Sequence, residues 1–230
     1  MHHDPASADN RASLTRHWSP MNPTERRVFG VLIEKAKTTP DVYPLTLNAT
    51  TTACNQKNNR VPQTNYTSDD VQQALDSLRQ LGAVTEVQTG SQTSKYKHYA
   101  YDWLGVDKTE VAVVAELLLR GSQTLGDLRG RTARMESIAD LAALRPVLDS
   151  LIVKELVIEL SPAGRGQMVT HGLYPAEEMK QLRARAPGTS GAETVVQPSA
   201  DPAGGRVAKL EAELAELRDR VTLLENRLTQ

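Results

Sequence analysis

Apolar residues recur first at helical spacing and then in alternation, and the whole order then repeats along the chain. Asn22-Pro23-Thr24-Glu25 reads as a helix start, with a capping Asn, Pro at the first helical position and Glu at the third. Val28, Val31 and Leu32 follow at helical spacing with Lys35, and the helix is expected to end near Lys37, before the two prolines of "TTPDVYP". A second helix is expected from about Thr46 through Leu47, Ala49 and Ala53. Beyond the polar stretch "ACNQKNNRVPQT", the run "TSDD" caps a third helix with an apolar stripe of Val71, Ala74, Leu75, Leu78 and Leu81, and Gly82 is placed to stop it in a left-handed turn. "AVTEVQT" then alternates and is β-branched, Gly90-Ser91 makes a turn, and "KYKHYAY" returns as a second strand with Tyr96 and Tyr99 on opposite faces.

The order recurs downstream. Thr109-Glu110 opens "VAVVAELLLRG" as Thr24-Glu25 opens the first helix. "QTLGDLRGRTAR" gives a second helix, and "LAALRPVLDSLIVKE" a third with Pro146 expected in its first turn. "LVIEL" and "MVTHGLY" flank the turn "SPAGRGQ". The tetrapeptide Leu-Asp-Ser-Leu occurs at 75–78 and at 148–151, in the third helix each time. Three helices followed by a hairpin is the order of a winged-helix domain. The expected class is therefore mainly α with small β-hairpins: tandem winged-helix domains at 22–104 and 105–175, followed by a C-terminal coiled-coil helix at 206–230. Residues 1–21 read as a disordered arm, with Trp18 placed to dock on the first domain. Residues 176–205, rich in Ala, Pro, Gly, Ser and Thr, read as a flexible linker.

Val207, Leu210, Leu214, Leu217, Val221, Leu224 and Leu228 are spaced alternately three and four apart, a heptad seam. In a parallel homodimer, Arg206 would face Glu211, Glu213 would face Arg218, and Arg220 would face Glu225, each pair attractive. The chain itself is thus the first expected partner. The competing arrangement is a helix folded back on its own protomer; Leu223 falls outside the seam.

Composition narrows the function classes. Hydrophobic residues make up 39% and charged residues 24%, the balance of a soluble globular protein. Net charge is −1 and each segment is balanced to within one charge, so any basic surface must come from local arrangement. Cys54 is the single cysteine, which rules out an intrachain disulfide and fits a reducing cytoplasm. No run of 18 apolar residues occurs, and the N-terminus lacks the apolar stretch of a secretory signal, so no membrane partner is expected. Nothing suggests an enzyme. Cys54 has no sequence-adjacent base, and the histidines at 2, 3, 17, 98 and 171 show no metal spacing. There is no phosphate-cradling Gly loop or nucleophile elbow, and Glu34 and Asp41 flank a loop without an evident partner. No cofactor or metal is expected.

The run "EKAKTTPDVYPLTLNATTTACNQKNNRVP", with "AELLLRGSQTLGDLRGRTARM" in the second half, resembles the YceH-like family of bacterial proteins. The resemblance covers roughly residues 22–175 and implies tandem winged-helix domains without an established biochemical function. The family's usual pattern carries Ser in place of Asn58 and Asp in place of Val61.

In a winged helix the third helix commonly enters a DNA major groove and the wing follows the phosphates. Double-stranded DNA is therefore one candidate partner. Its contacts would come from Asn55, Gln56, Lys57, Asn58, Asn59 and Arg60 before the first such helix, and from Gln72 and Gln73 on it. Lys95 and Lys97, beside His98, lie in the first wing; Arg129, Arg131, Arg134 and Arg165 belong to the second half. Against this, the first third helix opens with Asp69-Asp70 and carries Asp76. The amide-rich stretch can equally be an ordered loop satisfying helix ends and backbone groups, and Arg129–Arg134 a solvated helix face. The leading expectation is a homodimeric DNA-binding protein with a regulatory use. The alternative is a protein–protein interaction adaptor whose winged helices do not bind DNA. Ligand sensing between the two domains is a third reading, with no specific residue behind it.

Overall fold

The computed structural model describes residues 18–88 and 93–185. Helix α1 (Pro23–Thr38) starts at Asn22, whose side chain accepts from the Glu25 N–H while Glu25 reaches back to the Asn22 N–H. A 3-10 turn (Pro40–Val42) leads to β1 (Leu45–Thr46), α2 (Leu47–Cys54), α3 (Ser68–Gln80), β2 (Val84–Gln88) and β3 (Ser94–His98). Helix α4 (Ala100–Leu104) and α5 (Lys108–Arg120) follow, then β4 (Gln123–Thr124), α6 (Leu125–Thr132), α7 (Leu141–Val153), β5 (Val157–Glu159), β6 (Met168–His171) and α8 (Ala176–Arg185). The described chain is mainly helical, with two small antiparallel sheets of order β1-β3-β2 and β4-β6-β5.

The two halves repeat in detail. Thr46 and Thr124 each end a two-residue strand and cap the helix that follows, accepting from Ala49 N–H and Asp127 N–H. The duplicated Leu-Asp-Ser-Leu has a physical basis. Its leucines, Leu75, Leu78, Leu148 and Leu151, are fully buried. Its serines hold the capping glutamate of their own half: Ser77 Oγ donates to Glu25 Oε1 at 2.6 Å, and Ser150 Oγ donates to Glu110 Oε1 at 2.6 Å. One acid thus caps the first helix and pins the third helix against it.

Both tryptophans follow a second rule. Each lies five residues before the first helix of its half, is largely buried, and donates its indole N–H to the third helix of the other half. Trp103 Nε1 reaches the Leu81 carbonyl at 2.9 Å, and Trp18 Nε1 reaches that of Lys154 at 3.3 Å. These carbonyls end α3 and α7, where a helix lacks intrahelical donors. The halves also share one hydrophobic core, with α1 packed on α5. Gly30 permits that approach, since a Cβ there would lie 3.1 Å from Leu118 Cβ.

Several expectations change. The arm is shorter: Trp18 is docked, on the second half, and Met21 is fully buried with its N–H on the Leu173 carbonyl. Asp107 caps α5, with Glu110 at its third position, so the cap falls two residues before Thr109. Pro146 lies inside α7, because Asp140 caps the helix and starts it earlier; the acceptor left unused, on Ala142, belongs to an exposed residue. The second strand stops at His98, and Ala100 begins α4 where continued alternation was expected. The expected linker begins with α8, and Arg26 holds it through a bidentate pair with Glu178 at 2.9 and 2.5 Å. The heptad positions Val207 to Leu228 lie outside the described residues.

Ser77→Ala and Ser150→Ala should each cost about 1.5–3 kcal/mol, the range for a hydrogen bond to a charged group. Urea unfolding should register matching falls in midpoint with an unchanged slope. A loss confined to one serine would break the equivalence of the two fastenings.

Candidate functional site

The polar stretch after α2 folds into an ordered loop. Asn55 clamps Tyr66 from both sides, Nδ2 donating to the Tyr66 carbonyl at 2.8 Å and Oδ1 accepting its N–H at 2.8 Å. Asn59 takes the left-handed conformation (φ 60°) and turns Arg60 inward. There Arg60 makes a bidentate pair with Glu34 of α1, at 3.1 and 2.5 Å, and also donates to Gln56 Oε1 and to the carbonyls of Ala53 and Asn59. Arg27 of α1 donates to the carbonyls of Cys54 and Pro62. The loop then fastens to the second half: Val61 N–H donates to the Leu119 carbonyl at 3.0 Å, and Arg120 to Asn59 Oδ1. Val61 uses only its backbone here; its side chain is 54% exposed, so the missing family acid leaves no buried gap.

These contacts continue into a chain of alternating charge. Arg134 donates to Glu34 Oε1 and, at 2.9 Å, to Glu116 Oε2 of α5. Arg120 Nε lies 2.9 Å from Glu116 Oε1, an ion-pair contact without hydrogen-bond alignment. The order is Arg60–Glu34–Arg134–Glu116–Arg120, and both carboxylates are buried. Burial would raise the Glu34 carboxyl, but the hydrogen bonds and charges of Arg60 and Arg134 outweigh it and hold the group below its ordinary 4.5.

Half of the residues expected to grip phosphate, seven of the fourteen, make internal contacts instead. Asn55, Gln56, Arg60 and Arg134 belong to this network. Arg129 donates to the carbonyls of Ile138 and Ala139, bridging the end of α6 to the start of α7. Arg131 donates to Gln123 Oε1 at 2.9 Å and lies 3.6 Å from Asp127. Gln72 is engaged with Asp76 and Tyr96, leaving Gln73 exposed. Lys57, Asn58 and Asn59 are exposed on the loop, and Arg165 on the turn between β5 and β6. Lys95 and Lys97 are half-buried on β3, and Lys97 stands 5.4 Å from the Tyr99 ring centroid. Burial, then the charges of Lys97 and Lys37, lower His98 to about 4, so it is neutral near pH 7 and offers phosphate no cation. Burial pushes the Cys54 thiol up to about 12, away from reactive thiolate.

The solvent faces of the third helices carry little positive charge. Asp69, Asp70 and Gln73 are exposed on α3, and Arg79 is paired with Asp76 and Glu86. On α7 the exposed residues include Leu141 (51%), Ala142, Ala143, Pro146 and Val153 (73%), while Arg145 pairs with Asp149 and Glu159. Among the described residues no His, Cys, Asp and Glu cluster is arranged for a metal ion, and no helix is long and apolar enough to cross a membrane.

Glu34→Gln should cost about 3–5 kcal/mol, because it leaves Arg60 without its buried counter-charge and Arg134 with only Glu116. The folded pKa of Glu34 lies below its unfolded value, so its contribution is full above about pH 4.5 and is lost as pH falls through the folded pKa. Thermal melts from pH 7 to 3 should fall less steeply in Glu34→Gln than in the native chain. Parallel curves would mean that folding leaves the pKa of Glu34 unchanged.

Residues 21–165 match the family model described as "Protein of unknown function, DUF480". The chain is 50% identical over 176 residues to a UPF0502 protein of Rhodopirellula baltica, covering 76% of this chain and 73% of that one. A UPF0502 protein of Pelobacter propionicus is 41% identical over 209 residues, covering 89% and 93%. One from Geobacter metallireducens is 42% identical over 198 residues, covering 84% and 88%. The resemblance read from the loop and from the α5–α6 segment agrees with these matches, and the chain belongs to the DUF480/UPF0502 family of bacterial proteins of unknown function.

Proposed function

We propose that the protein is a protein–protein interaction adaptor built from two winged-helix units, brought together as a homodimer by the heptad tail. The observation that carries this reading is the character of the third helices. In a DNA-reading winged helix this element meets phosphate and base edges. Here α3 presents Asp69 and Asp70, and α7 presents Leu141, Pro146 and Val153. Carboxylates at a helix N-terminus suit the helix dipole and repel phosphate. Exposed Leu and Val on one helix suit an apolar partner surface. The inward commitment of Arg60, Arg129 and Arg134 supports the same reading, since each would have to break internal bonds to reach DNA.

The DNA-binding reading keeps one favourable observation. Lys97 stands beside Tyr99, and Tyr99 and Tyr101 are 41% and 42% exposed, so that with Lys95 on the same strand they could follow a nucleic-acid backbone.

Fluorescence anisotropy on random duplex at low salt separates the two. The adaptor gives no binding, whereas DNA binding gives an affinity that falls steeply with salt and weakens in Lys95→Ala/Lys97→Ala. Affinity capture from the source cell should return a partner that survives nuclease treatment and is lost with Leu141→Glu/Val153→Glu, a change on exposed side chains that should leave the melting temperature within about 2–4 °C of native. Capture abolished by nuclease would reverse the assignment.

For the tail, light scattering on a chain ending at Pro198 should give monomers where the full chain gives dimers. A truncated dimer would place the contact elsewhere.

A further inference from the structure

In the sheet β4-β6-β5, β5 lies at the edge. Its register on β6 sets Val157 opposite His171, Ile158 opposite Thr170 and Glu159 opposite Val169. Leu160 N–H donates to the Met168 carbonyl, and Gly172 N–H to that of Leu156. In an antiparallel pair such bonds fall on alternate residues, so Leu156, Ile158 and Leu160 turn their backbone groups to β6. The N–H and C=O of Val157 and Glu159 therefore point the other way. None of these four groups bonds to another described residue. An unpaired strand edge is a template for a further strand.

A groove follows this edge. A cavity of about 540 Å³ is lined by Val157, Ile158 and Glu159 of β5 and by Ala176, Met179 and Arg183 of α8. Successive side chains of a strand point to opposite faces, so a cavity on one face would take alternate residues, whereas this one takes three in succession. The α8 residues are three and four apart and share one helix face. The Arg26–Glu178 pair holds α8 in place. Ile152, Ile158 and Met179, all half-buried, give the lining an aliphatic character. Gly172 keeps the groove open at the start of β5, where a Cβ would collide with the Glu155 carbonyl oxygen.

Extended peptides bind exposed sheet edges by adding a strand, with room beside the edge for alternate side chains. The four backbone groups specify the occupant's chemistry, since donors and acceptors in this alternation are matched by another extended backbone. We propose that an extended segment of a partner protein binds here as the fourth strand of the sheet. It is hydrogen-bonded to Val157 and Glu159, with an aliphatic side chain between β5 and α8. That the occupant belongs to a protein partner rests on the adaptor reading. Val153, the exposed end of α7, follows Ile152 directly and joins the groove to the surface proposed there.

The test uses the full chain and a fluorescent peptide of alternating Val and Thr with Lys at each end, because backbone bonds accept any strand-forming sequence. Anisotropy should show saturable binding with a Kd below about 1 mM. Glu159→Pro removes one outward N–H and leaves the bonds to β6 in place, and Glu159→Ala removes the same side chain but keeps that N–H. The Pro variant should bind at least tenfold more weakly than the Ala variant. On the native chain, which no substitution disturbs, the peptide should slow hydrogen exchange of the Val157 and Glu159 amides at least tenfold. Equal affinities in the two variants, unchanged exchange at both amides, or no saturation would overturn the inference. A nuclease-resistant partner still captured by Glu159→Pro, while the peptide fails, sinks the groove and leaves the adaptor reading intact. Nuclease-sensitive capture with the peptide still protecting both amides sinks the adaptor reading and leaves strand addition standing.

Discussion

Glu34 and Glu116 are buried carboxylates, each paired with two arginines, one of them Arg134 from the segment after α6. A buried charge is tolerated only when it is closely paired. That requirement constrains four elements together. Helix α1 supplies Glu34, the loop after α2 supplies Arg60, α5 supplies Glu116 and Arg120, and the segment after α6 supplies Arg134. Displacing any one of them would strand a charge in a region where water cannot replace the partner. Apolar packing of α1 on α5 provides attraction without direction, whereas the forked guanidinium contacts favour one register.

The repeat was legible where chemistry is local. The cap at Asn22, the apolar stripes and the second occurrence of Leu-Asp-Ser-Leu marked the helices, because these signals span only a few residues, whereas the caps of α5 and α7 fell at Asp107 and Asp140. Elements that depend on distant partners were not. The strands Leu45–Thr46 and Gln123–Thr124 are too short to alternate, and they exist because β3 and β6 pair with them. Helix α8 is polar, and its fastening through Glu178 to Arg26 joins residues 152 positions apart. Pro146 pointed to a helix start in its vicinity, but the cap at Asp140 decided the boundary.

The candidate site was legible by composition and not by role. Lys and Arg could be counted along the stretch, while their acceptors could not. Glu34 looked partnerless in sequence because Arg60 is 26 residues away and Arg134 is 100 away. Asn55 was open to two uses, and its two-sided clamp on Tyr66 selects the turn-forming one. What sequence did carry was the negative sign at the opening of α3, a local property that survives folding because those side chains stay in solvent.

The two indoles lock the repeat crosswise. Each half lends its leading ring to close the other, so neither module is complete by itself. Excising one copy would uncover a helix end in the survivor and break the bridge that Arg134 makes between Glu34 and Glu116. Repeats joined in this way cannot be shuffled like beads on a thread, and they are inherited, moved or lost only as a pair.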